Sequence, residues 1–284
     1  MHFAICCLLL LCPLSGISPE AFGAARPQPV FSIDRDTLRQ GEFLVATVSG
    51  SASGPGLRFN GKRYPMFRQG DGGYRALVPV ENLTEPGRYE IVAGDGDRAQ
   101  RIPVMVVSNN LPVQKIWLDE KTNSLKATEE EKKQVRQALR TLSGEQRWNG
   151  AFDYPSKGRK SSPFGVKRSY NGAPVSSYHK GIDIAVPQGT PVLAPADGKV
   201  VLTGYEANRF HVHGNTVIID HGQGLQTIYL HLHAIDVETG DTVKKGEAIG
   251  TVGSTGISTG PHLHWGTYLY GTSVDPELFV RKEY

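Results

Sequence analysis

A mainly β chain in two modules, joined by a helix, is predicted from three observations. The 33 glycines and 18 prolines stand against only 8% aromatic residues, a balance that fits many turns between short strands better than a helical bundle. At 284 residues the chain exceeds the usual single-domain size of ~100 to 150, so each of two modules can bury its own core. Eight of the nine histidines fall between His179 and His264, which separates a chemical half from a supporting half.

The first element, residues 1–25, has an apolar run from Phe3 to Leu14 followed by the small residues of Ala21-Phe-Gly-Ala-Ala25. This is the layout of a secretory signal peptide cleaved near Gly23 to Ala25. The run is shorter than the ~20 apolar residues of a spanning helix, so no stable membrane insertion is expected after cleavage; a retained anchor is the alternative. Cys6, Cys7 and Cys12, the only cysteines, all lie in this segment, which excludes disulfides and thiol catalysis from the mature chain. Cys12 follows Leu10-Leu11 where a lipoprotein signal wants a small residue, so lipidation is not expected. A net charge of +3 gives no argument for a nucleic-acid partner, while mild positive charge suits an anionic polymer such as a cell wall.

Residues 26–117 read as the first module. Short alternating runs at Val30–Ile33, Phe43–Val48, Leu57–Phe59, Tyr74–Val80, Arg88–Val92 and Ile102–Val107 are punctuated by turns at Gly54-Pro-Gly56, Asp71-Gly-Gly73 and Gly94-Asp-Gly96. Six or seven such strands at this spacing predict an immunoglobulin-like β-sandwich. Nothing in it looks catalytic, and it is the expected place for a protein partner.

Residues 118–147 change composition, with Glu129-Glu-Glu131, Lys132-Lys133 and the apolar Leu139 and Leu142. One linker helix is predicted, with Thr128 as N-cap and Glu131 at the reciprocal position of a capping box. Its charges are expected to form a solvated face.

Residues 148–284 return to strands and glycine turns. Two stretches look alike, Gly189–Val201 and Gly240–Val252, each with a Gly-x-x-Val turn leading to a second glycine and an apolar strand. Each is expected to fold as a tight β-hairpin. The repeat is similar to lipoyl and biotinyl carrier folds, but the tip at Lys244-Lys245 lacks the methionine that flanks a modified lysine.

The chemistry concentrates in His179-Lys-Gly-Ile-Asp183 and Gly260-Pro-His-Leu-His264. Hydrolytic zinc sites take three ligands from His, Asp or Glu and keep one position for water, whose pKa falls towards ~7. In an extended strand residues two apart share a face, so His262 and His264 can both face one metal. Spacing alone does not choose the ligands, because His211/His213, His231/His233 and His262/His264 are all His-x-His pairs.

Five blocks in order resemble lysostaphin-type (LytM-like) zinc metalloendopeptidases: Ser177-x-His-x-Gly-Ile-Asp183, Gly214–Gly222, Tyr229-Leu-His-Leu232, Gly240-Asp-x-Val-x-x-Gly246 and Ser258-Thr-Gly-Pro-His-Leu-His-Trp265. The resemblance covers roughly Phe152 to Pro276. It implies an antiparallel-sheet metallopeptidase domain, one Zn2+ per chain held by His179, Asp183 and His264, and His262 as general base. His231 then corresponds to a second catalytic histidine that orients the water or stabilises the developing oxyanion. The implied substrate is the peptide part of peptidoglycan, and the implied location is periplasmic or extracellular. A non-catalytic cell-wall binding or amidase-regulating module with a structural metal is the alternative.

The remaining candidates read as structural. His233 is expected on a strand surface, and His211 and His213 in solvent or loop packing, with lining of the cleft as the alternative. His221 and Asn215 read as turn residues. Gly253-Ser-Thr-Gly256 and Gly260 are expected to form a flexible cleft wall that admits an extended peptide. Tyr170, Tyr178, Tyr229 and Trp265 are candidates for lining the cleft, with core packing preferred for Trp265.

Overall fold

The structure, a computed structural model, describes residues 29–284 except Asp95, Asp97, Arg98 and Ser176. The signal segment expected at 1–25 lies outside the described residues. No helix among them is long and apolar enough to cross a membrane.

Nine strands form the N-terminal unit: Val30–Ile33 (β1), Thr37–Arg39 (β2), Phe43–Ser49 (β3), Leu57–Phe59 (β4), Lys62–Tyr64 (β5), Phe67–Arg68 (β6), Tyr74–Pro79 (β7), Gly87–Ala93 (β8) and Gln100–Val107 (β9). They build a four-stranded sheet, β1-β3-β7-β6, and a five-stranded sheet, β2-β9-β8-β4-β5. Alternation places Leu44, Ala46 and Val48 of β3 inward, facing Leu57, Ile91 and Val104 of the other sheet in one core. This strand order, with β2 parallel to β9, is that of an immunoglobulin-type sandwich. Near the start of β8 the Tyr89 hydroxyl donates to the Glu85 carbonyl at 2.7 Å, which pins the corner between β7 and β8.

The connecting region holds a strand, Val113–Ile116 (β10), and two helices, Glu120–Ser124 (α1) and Glu129–Ala138 (α2), where the sequence suggested one helix. The break follows from capping. Asp119 caps α1 through the Thr122 N–H, and Thr128 with Glu131 forms a complete capping box that starts α2 afresh. β10 pairs in parallel with a strand of the C-terminal unit, Lys167–Tyr170, which stitches the connector to it. Glu131 departs from the solvated face expected of the helix charges: it is buried beneath the loop 211–213.

The C-terminal unit continues with Arg159–Ser162 (β11), Lys167–Tyr170 (β12), Ser177–Tyr178 (β13), Ile182–Ala185 (β14), Pro191–Leu193 (β15), Gly198–Gly204 (β16), Asn215–Gly222 (β17), Leu225–Ile235 (β18), Thr242–Val243 (β19), Ala248–Val252 (β20), Leu263–Leu269 (β21), Thr272–Val274 (β22) and a terminal helix, Glu277–Arg281 (α3). The spine of its large sheet runs β11-β14-β21-β18-β17-β16-β19. Strand β17 is buried on both faces, which accounts for its unbroken Thr-Val-Ile-Ile run. Ile218 meets Ile228, Tyr268 and the Val135 and Leu139 side chains of the α2 region, while Val217 and Ile219 face the core with Tyr229 and Trp265.

The two similar stretches do not fold as separate hairpins. β15 pairs with β20 and β16 with β19, so each stretch pairs with the other. The glycine turns instead carry each stretch from one shared ribbon to the next.

The two units share a core. Phe43 of β3 stacks on Phe279 of α3 with ring centroids 4.9 Å apart, and Phe152 and Tyr284 complete the cluster. The Asn82 side chain donates to the Gly165 carbonyl, and Arg75 lies 5.6 Å over the Trp148 ring. We expect Phe279→Ala to cost about 3–5 kcal/mol in urea unfolding, because it empties an aromatic site touching both units. A loss below ~1 kcal/mol would show that this cluster does not join them.

Candidate active site

Strand pairing assembles the site. Asp183 on β14 lies directly opposite His264 on β21, and His264 lies opposite Leu230 on β18. His179, one turn before β14, is fixed by reciprocal backbone bonds: its N–H donates to Val166 and its carbonyl accepts from Gly165. His262 forms an isolated bridge with Gly253 just ahead of β21. His179, His264 and His231 are all buried.

His179 Nε2 lies 2.9 Å from Asp183 Oδ1 and 3.0 Å from His264 Nδ1, and His264 Nδ1 lies 2.9 Å from Asp183 Oδ1. The direction of the lone pairs follows from the other ring nitrogens. His179 Nδ1 faces the Pro163 carbonyl at 2.8 Å, and a carbonyl only accepts, so Nδ1 carries the proton and Nε2 presents a lone pair. His231 Nδ1 likewise donates to the Thr255 carbonyl and His262 Nδ1 to the Gly260 carbonyl, each at 2.8 Å. His262 Nε2 then sits 3.8 Å from Asp183 Oδ1, and the His231 and His262 rings are 4.9 Å apart.

Burial opposes ionisation of Asp183, but the adjoining His179 and His264 rings outweigh it and hold the carboxyl far below the usual range. Burial pushes His264 down to about 4, against the pull of Asp183. Burial, reinforced by His262 and His264, pushes His231 down to about 3. One anionic oxygen and two neutral imidazole nitrogens, all within 4.8 Å of one another, are the donor set of a transition-metal dication. His262 and His231 stand beside that set, outside the triad.

A cleft of ≈ 540 Å³ opens over these residues, lined also by Arg168, Tyr170 and His213 and by Gln114, Leu118 and Lys126 of the connector. Of the aromatic candidates only Tyr170 lines it; Tyr178, Tyr229 and Trp265 are buried. His221 is a core residue bonded to the Asp197 carbonyl and Thr227 Oγ1, and His233 is exposed on its strand. Asn215 accepts the Glu206 N–H, consistent with a turn role. The wall at 253–256 is tied down: Thr255 Oγ1 donates to the Leu232 carbonyl and accepts the Asn215 N–H.

Two contributors escaped the sequence reading. Arg168 donates to Asp183 Oδ2 at 3.2 Å from a different strand, with no local spacing signal. Gly181, inside the motif, is glycine for steric reasons: a Cβ there would run into the Trp265 carbonyl and lie 2.8 Å from His264 Nε2.

Comparison with known proteins places this geometry. The profile described as Peptidase family M23 matches residues 177–276. A crystal structure from Pseudomonas aeruginosa, assigned to peptidase M23, aligns over 83% of this chain and 92% of its own at 33% identity, with a TM-score of 0.62. The chain belongs to peptidase family M23. Among curated M23-like relatives, a DD-carboxypeptidase/endopeptidase Mpg of Neisseria meningitidis is 47% identical over 118 residues, 42% of this chain and 26% of that one. A peptidoglycan DD-endopeptidase ShyA of Vibrio cholerae is 43% identical over 125 residues, 43% of this chain and 28% of that one. The chain thus spans about a quarter of the length of these relatives. The M23 segment contains all five clustered site residues, whereas Arg168, Pro163 and Glu131 lie before it.

For this M23 site we expect Gly181→Ala to weaken metal binding at least ~10-fold, because the ring it displaces carries a donor atom. Competition with a chromophoric chelator measures this, with circular dichroism confirming the fold; wild-type affinity would contradict the packing argument.

Proposed function

We propose that this protein is an exported zinc endopeptidase that hydrolyses amide bonds in the peptide stems or cross-bridges of bacterial peptidoglycan. The observation that carries the reading is the convergence of His179, Asp183 and His264 on one point, with the Nε2 of His262 and of His231 left free beside it. The names of the endopeptidase relatives support the substrate class. The working organisation is a signal segment at 1–25, a sandwich at 26–117 that positions the enzyme or binds a partner, a connector at 118–147 and the peptidase unit at 148–284.

His179, Asp183 and His264 hold the metal. When bound, zinc supplies Lewis acidity at the scissile carbonyl and lowers the pKa of water at the site. The anchored Nδ1–H of His262 leaves its Nε2 as a base that takes the attacking water's proton and returns it to the leaving amine. His231 is held in the same tautomer by Thr255, so its Nε2 is an acceptor, which favours orienting the water over donating to the oxyanion. Arg168 donates to the second carboxylate oxygen of Asp183 and aims it.

Purified protein of measured zinc content, incubated with isolated peptidoglycan, should release muropeptides whose masses identify the bond cut. We expect His262→Ala to lose at least ~100-fold in rate while keeping its metal. Intact peptidoglycan with zinc bound would point to a regulatory module. Chelation should abolish hydrolysis, and added Zn2+ should restore it; activity that survives complete removal of metal would overturn the zinc reading.

A further inference from the structure

His231 occupies a conformation that a histidine does not adopt unaided. Its φ is +63°, in the left-handed region, where side chains other than glycine are disfavoured by about 1–2 kcal/mol. The sheet register shows why. Asn215 pairs with Leu232 and Val217 with Tyr229, so Leu230 and His231 together oppose the single residue Thr216. This is a β-bulge, and it turns the imidazole out of the ladder towards His262. A bulge of this kind persists only if other contacts hold it.

Two carbonyls hold it. The His231 N–H donates to the His213 carbonyl at 3.1 Å, and its Nδ1–H to the Thr255 carbonyl at 2.8 Å. Both carbonyls belong to loops organised by one side chain from outside the sheet. The Glu131 carboxylate accepts the N–H groups of His211, Val212 and His213 at 3.1, 3.1 and 2.9 Å, and His213 Nδ1 at 2.6 Å. The Val212 carbonyl in turn accepts the Ile257 N–H, which ties the Thr255 loop to the same anchor. Three successive amides around a buried anion form a nest whose shape depends on the charge at its centre. Glu131 is 1% exposed and, among the described residues, has no ion pair with a lysine or arginine; its counter-dipoles are these N–H groups and the capping bond from Thr128.

We propose that Glu131, on the connector helix, is a positioning residue for the reaction: it sets the left-handed bulge of His231 through the loop 211–213. The connector thereby controls the geometry of the second catalytic histidine. The inference rests on the hydrolytic reading of the site. Glu131 lies 100 positions upstream of His231, outside the matched peptidase segment.

Glu131→Gln keeps the size but places an amide NH2 against amide donors, so the loop must withdraw. The comparison variant is Val135→Ala, which loosens the same helix without touching the nest. At temperatures where both are fully folded, Glu131→Gln should lose ~10- to 100-fold in kcat with KM changed less than ~3-fold and metal content unchanged, while Val135→Ala keeps wild-type kcat. Glu131→Asp, which keeps the charge but retracts it by one methylene, should fall between and serves if the glutamine variant does not fold.

A second readout does not need turnover. In ¹⁵N-histidine-labelled protein the Nδ1–H resonance of His231, protected by Thr255, should broaden or exchange rapidly in Glu131→Gln and stay sharp in Val135→Ala. Equal kcat and equal His231 signals in the two variants would overturn the proposal. An inactive wild type in which Glu131→Gln still releases the His231 proton would sink the hydrolytic reading and leave the positioning role standing.

Discussion

A neutral imidazole has one N–H, and everything the centre can do depends on where each of those protons is spent. In His179, His231 and His262 it is spent on a main-chain carbonyl, of Pro163, Thr255 and Gly260 respectively. Main-chain carbonyls cannot rotate away as side-chain acceptors can, so each ring is locked in orientation and in tautomer together. The consequence is a set of lone pairs aimed at one small volume beside the Asp183 carboxylate, with no proton left over to bond them to each other. His264 instead turns its Nδ1 to Asp183, which lies opposite it across the sheet. The loops that supply the three carbonyls are therefore as much a part of the centre as the histidines.

The sheet makes that precision affordable. β17 and β18 are buried on both faces, between the α2 helix on one side and the shared aromatic core on the other. A strand packed from both sides cannot slip register without moving apolar residues into the wrong layer, so the cross-strand pairs at the site are held by packing far from it. The Phe43–Phe279 stack extends the same rigidity into the N-terminal sandwich.

Much of this was legible in the sequence because its signals are local. Alternation along Phe43–Val48 gave the sandwich strands, and the Thr128–Glu131 box gave the start of α2. The histidine motifs, read with a family resemblance, drew attention to the five residues that the structure brings together. What was not legible depends on pairing over distance. The two similar glycine-rich stretches carry hairpin signals, yet exchange strands, because a turn pattern specifies a reversal and not the partner that receives the returning strand. In sequence Arg168 looks like an ordinary charged surface residue and Glu131 like a capping residue of a solvated helix; only the register of β12 and the packing of α2 bring them to Asp183 and to the loop at 211–213.

The exchange of strands between those two stretches also sets an order of events in biosynthesis. β15 and β16 have no complete ribbon until β19 and β20 have been made, and His264 lies on a strand that follows all of them. Contacts so distant in sequence form late, after the cost of closing a long loop has been met. A nascent chain therefore carries His179 and Asp183 as isolated side chains while residues 184–263 are being made. The centre comes into being only when the closing strands arrive, which keeps the growing polypeptide chemically silent until His264 has been made.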